Sequence, residues 1–306
     1  MIGGDYISLS VFLELVEIKA KTASILPFIL GIGFSWFNYQ TIHPELVVLF
    51  FIAMLLFNMA VDILDNYNDY RHATKGHDYQ QKVNIIGREH LSLPLVFGML
   101  ATMVVIAAGI GIYLVSRVGW PLLWMGIWCF AVGILYSSGP RPLSSLPVGE
   151  FFSGITMGFM IVLICVYLNI SAFFDWRLAT LGRVLLVALP MTLWIANLML
   201  ANNICDLEED EKNRRTTIVH YLGRPRSVVV FMSMNVLAYV ALIAAVIVEV
   251  APWFSLVAFV SLPLVIKQMR LFGQRQVKRE TFVCAVRILA IGATSQVVTY
   301  LIGLAV

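Results

Sequence analysis

Charge is what this chain has least of. Only 13% of its 306 residues are Asp, Glu, Lys or Arg, while 60% are hydrophobic. Soluble globular chains sit near one-quarter charged, so a water-soluble fold is excluded and a polytopic membrane protein remains. Cysteine is also scarce. Cys129, Cys165, Cys205 and Cys284 form no CxxC pair, which argues against a disulfide framework or a zinc knuckle. No basic block with interleaved aromatics is present, and a net charge of +3 is modest, so nucleic acid is not an expected partner. The first Lys is Lys19. A basic segment leading into an apolar stretch is therefore missing, and no cleaved signal or transit peptide is expected. The five His have no ligand spacing, which argues against a transition-metal site.

What the chain has in abundance is apolar runs. A membrane-spanning helix needs about 20 such residues. Nine runs qualify, at 20–38, 45–64, 93–115, 119–137, 150–172, 182–203, 227–248, 251–269 and 283–304. The expected fold is all-α: a transmembrane helical bundle of about nine spans around a central cavity, one domain over residues 1–306. The longest connections, 65–92 and 204–226, leave no room for a soluble domain between spans.

Basic residues orient the bundle. With nine spans, 17 of the 21 Lys and Arg fall on the face that holds the N-terminus, and only Arg117, Arg177 and Arg183 on the other. Basic residues accumulate on the cytoplasmic side, so the N-terminus is expected in the cytoplasm of a cell whose inner or plasma membrane carries the chain. Arg287, inside the last span, is left open between a cavity role, an acid partner and snorkelling to the interface.

Two acidic clusters share one spacing. Asp62, Asp65 and Asp69 lie at i, i+3 and i+7, and Asn203, Asp206 and Asp210 repeat those offsets. On a helix, each triplet lines one face. Each also closes an apolar run, and carboxylates are retained at membrane depth mainly for function. An even number of spans separates the two, so both face the cytoplasm, and a pseudo-twofold bundle would bring them together. Magnesium, a hard ion, takes carboxylate, phosphate and water oxygens. The pair therefore points to a divalent-metal site for a phosphorylated substrate, with nearby Lys and Arg balancing the remaining charge. Glu208, Glu209 and Glu211 fall off the Asp206/Asp210 face and read as solvated loop charges. A transporter of an anionic solute is the competing reading. Transporters place broken helices near the midplane, whereas these acids sit at span ends.

The first cluster resembles the NDxxD-type motif of the UbiA superfamily of intramembrane aromatic prenyltransferases, and the second its DxxxD motif. Four segments carry the resemblance: Lys19-Ala20-Lys21-Thr22 with Pro27 and Gly31; Asp65 to Asp69 with Lys75-Gly76-His77-Asp78; Tyr136 to Leu143 with Gly149-Glu150; and Asn202 to Asp210 with Thr217 and Leu222-Gly223. Together they span about residues 19–223. Asp65-Asn66 reverses the usual order, Cys205 stands at a usual Arg, and Arg214 and Arg215 replace Gly and Lys. The 4-hydroxybenzoate branch typically carries RTxxRPL after its first motif. Here Asn84-Ile85-Ile86-Gly87-Arg88-Glu89 stands in that place, which favours the branch acting on 1,4-dihydroxy-2-naphthoate.

The resemblance implies transfer of a polyprenyl chain from polyprenyl diphosphate to 1,4-dihydroxy-2-naphthoate in the lipid bilayer, with Mg²⁺ as cofactor and loss of diphosphate and CO₂. It implies Asp65, Asp69, Asp206 and Asp210 as catalytic metal ligands, supported by Asp62 and Asn203 one turn earlier. Lys75, Lys82, Arg88 and Arg215 are candidates for the diphosphate. Lys21, Tyr136 and Arg141 are candidates for the aromatic acid.

Overall fold

The computed structural model describes residues 7–72 and 84–306, and among these the secondary structure is helical throughout. A short helix, α1 (Leu9–Leu15), is capped by Ser8, whose Oγ accepts from the Val11 amide at 3.3 Å. It lies against the acidic end of the next elements, with Leu15 and Val16 fully buried beside Ile63, Ile85 and Ile86.

Among the described residues nine helical segments are long and apolar enough to cross a membrane, at the places the apolar runs predict. They are α2 (Thr22–Tyr39, entered through a tight turn at Ile18–Lys21), α3 (Pro44–His72), α5 (Leu93–Val118), α6 (Trp120–Ser137), the segment Gly149–Phe173, α9 (Leu178–Lys212), α10 (Ile218–Ile247), Trp253–Gln274, and α12 (Phe282–Ile302). The fifth is composite. It runs as α7 (Gly149–Ser153), a wider π turn at Gly154–Met160, and α8 (Ile161–Ile170). The eighth ends in α11 (Leu262–Gln274). A one-turn helix, α4 (Ile85–Arg88), precedes α5.

Two helices overrun their predicted ends. The apolar runs stop near residues 64 and 203, but α3 continues to His72 and α9 to Lys212. Hydropathy marks where the bilayer ends and not where the i to i−4 ladder ends, and no Gly or Pro interrupts either tail. At 1.5 Å per residue, the 35 residues of α9 reach about 50 Å, well beyond a hydrocarbon core of about 30 Å. The acidic triplets therefore ride on protruding helix tips. In the seventh span the opposite occurs. A run predicted to begin at 227 is preceded by helix from Ile218, with Gly223 at φ +73° breaking the regular path two residues before Pro225.

The most buried elements are α8 and α9. Their contact is made by the π turn: a Cβ on Gly158 would lie 2.4 Å from Thr192 Cα, and one on Gly154 2.7 Å from the Thr192 carbonyl oxygen. Small residues let membrane helices approach this closely. Around that centre α2 packs on α8 and α12, α3 on α5 and α6, and α10 on α9. The outer faces keep large apolar side chains exposed, such as Val105, Ile112, Ile247 and Val260, as a lipid-facing surface requires. Trp120, Trp124 and Trp176 gather at the end opposite the acidic tips, the position of an interfacial aromatic belt.

Candidate active site

Arg215 is paired with the α9 acidic tip, and its charge reaches the α3 tip. Arg215 follows the end of α9, where Arg214 takes a left-handed conformation (φ 56°) and turns the chain back. The Arg215 amide then donates to the Asp210 carbonyl at 2.8 Å. Its side chain makes an ion pair with Asp210 at 3.3 Å and donates to the Ser144 carbonyl at 3.1 Å. Its charge also acts on Asp65 and on the Tyr136 hydroxyl. Asp65 and Asp69, on the α3 tip, act on one another electrostatically, and both stay accessible. The loop between α6 and α7 closes the side of the site. There the Thr216 amide donates to the Ser145 carbonyl at 2.9 Å, and Asn68 donates to the Ser137 carbonyl at 3.0 Å and to Ser138 Oγ at 2.8 Å.

Most of the other residues named from the sequence have specific protein partners. Asp62 is paired with Lys21, itself buried, whose Nζ also donates to the Asn58 carbonyl at 3.4 Å. Asn203 is buried and donates to Glu150 Oε1 at 2.8 Å. Asp206 is paired with Lys278, which also donates to Asn202 Oδ1. Tyr136 lies beside Ser153 and within electrostatic reach of Glu150 and Asp65. Arg88 faces away into ion pairs with Glu14 at 2.8 Å and Glu89 at 3.0 Å. Arg141 is exposed in the turn after α6. Lys75 and Lys82 lie outside the described residues. Glu208, Glu209 and Glu211 are exposed but stand on the last turns of α9 and not in a loop, with Glu208 paired to Arg224 at 2.7 Å. Arg287 is exposed one turn into α12.

Three residues were not picked out as site residues: Lys278, Glu150 and Asn68. Lys278 lies 72 positions from Asp206, and no spacing rule links them. Glu150 stood in a quoted motif without a role. Asn68 shares the first tip but falls off the Asp62/Asp65/Asp69 face.

The donor set suits a hard divalent ion. Magnesium is usually held by one or two carboxylates, with substrate phosphates and water filling the rest of its shell. Asp210 is 3% exposed and its Oδ2 has no hydrogen-bond partner, an acceptor left open in a buried place. Among the described residues no three His, Cys, Asp or Glu side chains gather into a protein-only cage. The residues therefore fit an ion shared with a substrate rather than one enclosed by protein.

Beside the site, α3, α5 and α6 enclose an apolar cleft of about 210 Å³. It begins at Ser138, directly under the Asn68 contact, and continues past Leu64, Val61 and Phe57 on the same α3 face.

Residues 24–291 match the UbiA prenyltransferase family. The chain belongs to that family. It is a multi-pass membrane prenyltransferase, an enzyme rather than a transporter. Over 267 residues it is 29% identical to a 1,4-dihydroxy-2-naphthoate octaprenyltransferase of Bacillus subtilis (strain 168), covering 86% of this chain and 82% of that one. Its fold is that of solved UbiA homologues. One from Aeropyrum pernix K1 superposes with a TM-score of 0.69 at 19% identity, over 90% of this chain and 97% of that one. One from Archaeoglobus fulgidus, bound to GPP and Mg²⁺, gives 0.64 at 11% identity, over 97% and 100%.

Proposed function

We propose that this prenyltransferase moves a polyprenyl chain from polyprenyl diphosphate to 1,4-dihydroxy-2-naphthoate, with loss of diphosphate and CO₂, at a site facing the cytoplasm. One observation carries the reading: Arg215, ion-paired to Asp210 on one acidic tip, extends its charge to Asp65 on the other. A leaving group that gathers negative charge needs cationic donors placed before the bond breaks, and Arg215 would supply one.

Asp65 and Asp69 on α3, with Asp206 and Asp210 on α9, would hold Mg²⁺ against the diphosphate oxygens. Bound there, the ion supplies Lewis-acid stabilisation of the departing diphosphate. Lys21 holds the Asp62 carboxylate in place, and Glu150 orients the Asn203 amide. These two are positioning residues. Arg215 grips the diphosphate, joined by Lys75 or Lys82 from the connection after α3.

As the C–O bond opens, the prenyl carbon becomes an allylic cation. The electron-rich dihydroxynaphthoate ring attacks it, and the ring carboxylate leaves as CO₂. Tyr136, beside Asp65 and Glu150, borders the acceptor and offers its π face to the cation. The similarity to the Bacillus subtilis enzyme supports this acceptor over 4-hydroxybenzoate, as do the residues from Asn84 to Glu89, where RTxxRPL does not occur.

The test is direct. Purified protein is incubated with polyprenyl diphosphate and either aromatic acid, with and without Mg²⁺, and the lipid product is weighed by mass spectrometry. The expected product is the prenylated naphthoquinol lacking the carboxylate, formed only with metal. Turnover of 4-hydroxybenzoate alone would overturn the acceptor assignment.

A further inference from the structure

Lys278 lies in the connection between α11 and α12, far in sequence from either acidic tip. Its Nζ is held by the Asp206 carboxylate and by Asn202 Oδ1, with the Phe282 ring 5.0 Å away. Its charge also acts on Asp210, whose Oδ2 is buried without a partner. The Lys278 side chain is 43% exposed, so no protein wall holds it in place, and a four-carbon stem lets the ammonium swing.

The position has a sign consequence. A divalent cation arriving alone at Asp206 must displace Nζ and then tolerate it a few ångströms away, cation against cation. A diphosphate arriving with the ion reverses this, because its oxygens take the released ammonium. We propose that Lys278 couples the two ligands: it holds Asp206 against metal alone and becomes a diphosphate-binding residue once the metal–diphosphate pair enters. The inference rests on the reading of the site given above. Coupling of this kind is reciprocal, each ligand aiding the other by one factor, commonly 5- to 150-fold. It would keep the site from loading metal without a substrate to activate.

The experiment compares the wild type with Lys278→Met and Lys278→Gln, which remove the charge, and Lys278→Arg, which keeps it. Mn²⁺ alone is titrated into purified protein and followed by electron paramagnetic resonance. Inorganic pyrophosphate is titrated at saturating Mg²⁺ and followed by calorimetry. Loss of the charge is expected to tighten Mn²⁺ about fivefold and weaken pyrophosphate about tenfold, at the lower end of typical coupling. Lys278→Arg should stay near wild type in both. A merely structural contact would lower the melting temperature and move neither affinity, and that result would overturn the proposal. So would both affinities falling together in Met and Gln variants that retain the wild-type melting temperature. If the wild type binds no pyrophosphate with Mg²⁺, the reading of the site itself fails, which is a separate outcome from unchanged affinities in the variants.

Discussion

The Asn203 amide donates to Glu150 Oε1 at 2.8 Å, fastening the second acidic helix to the first turn of α7. Asn203 is buried, so its bond to the carboxylate, which is charge-assisted, is poorly replaced by solvent. Removing the carboxylate strands a buried amide. Glu150→Ala is expected to cost about 1.5–3 kcal/mol, the range for hydrogen bonds to charged groups, read as a lowered melting temperature in detergent. Turnover should fall with it. Glu150→Gln keeps an acceptor oxygen and should recover most of the stability. Equal stability of the Ala variant and wild type would remove Glu150 from the supporting frame.

The acidic tips themselves can be tested without disturbing the helices. Asp69→Asn and Asp210→Asn preserve volume while removing a charge that a hard ion requires. Each should reduce turnover by a factor of about 10² or more, the scale seen when one electrostatic contribution to a transition state is deleted. Membrane insertion and melting temperature should change little. Purified variants with full activity would refute the metal assignment.

Arg215 touches Asp210, the Ser144 carbonyl and the field of Asp65. If it grips the diphosphate, Arg215→Met should raise the KM for polyprenyl diphosphate by about tenfold, since one lost charge-assisted contact is worth roughly 1.5–3 kcal/mol. The KM for the aromatic acid should stay near its wild-type value. A rise confined to the aromatic acid would move Arg215 to the acceptor side.

Gly158 probes the packing that sets these distances. Its hydrogen faces Thr192 backbone atoms at 2.4 and 2.6 Å from where a Cβ would stand. Backbone cannot rotate away as a side chain can. Gly158→Ala must push the π turn off α9, with a cost of about 1–3 kcal/mol typical of overpacking. Gly98 lies within α5 and faces open space, so Gly98→Ala serves as the control and should leave the melting temperature at or slightly above wild type.

The span pattern was legible because a bilayer imposes one dominant constraint, an apolar run of fixed length, and each of the nine predicted runs overlaps one spanning helix along most of its length. The triplets were legible because three- and four-residue offsets state which side chains share a helical face. The overrun of α3 and α9 was not, because polar residues continue a helix as readily as apolar ones. The partners of the acids were hidden too. Lys21 with Asp62 and Lys278 with Asp206 are contacts across 41 and 72 residues, fixed by how helices pack and by no local rule. Lys21 is an instance: the opening motif marks it for the aromatic acid, and the fold adds a partner, Asp62, that no local spacing shows.

The cleft between α3, α5 and α6 offers a route for the prenyl tail. Its upper end is Ser138, bonded to Asn68, one residue from Asp69. Below it Leu64, Val61 and Phe57 descend one face of α3, and Phe57 stacks on Phe130 at 4.0 Å between ring centres. The cleft follows the Asn68 side of α3, roughly a quarter-turn from the Asp65 and Asp69 side, so a tail leaving a diphosphate at the acidic tips would enter it by passing Asn68. Burying a five-carbon unit is worth up to about 4 kcal/mol at roughly 0.8 kcal/mol per carbon, so filling the slot should matter most for long donors. Ala101 lines it from α5. Ala101→Trp is expected to lower kcat/KM for an octaprenyl-length donor by at least about tenfold, well within that energy. Geranyl diphosphate, which reaches only the upper end, should be used within about twofold of wild type. An equal loss with both donors would mean that the indole disturbs the tips and not the tail. No loss with either would place the tail elsewhere in the bundle.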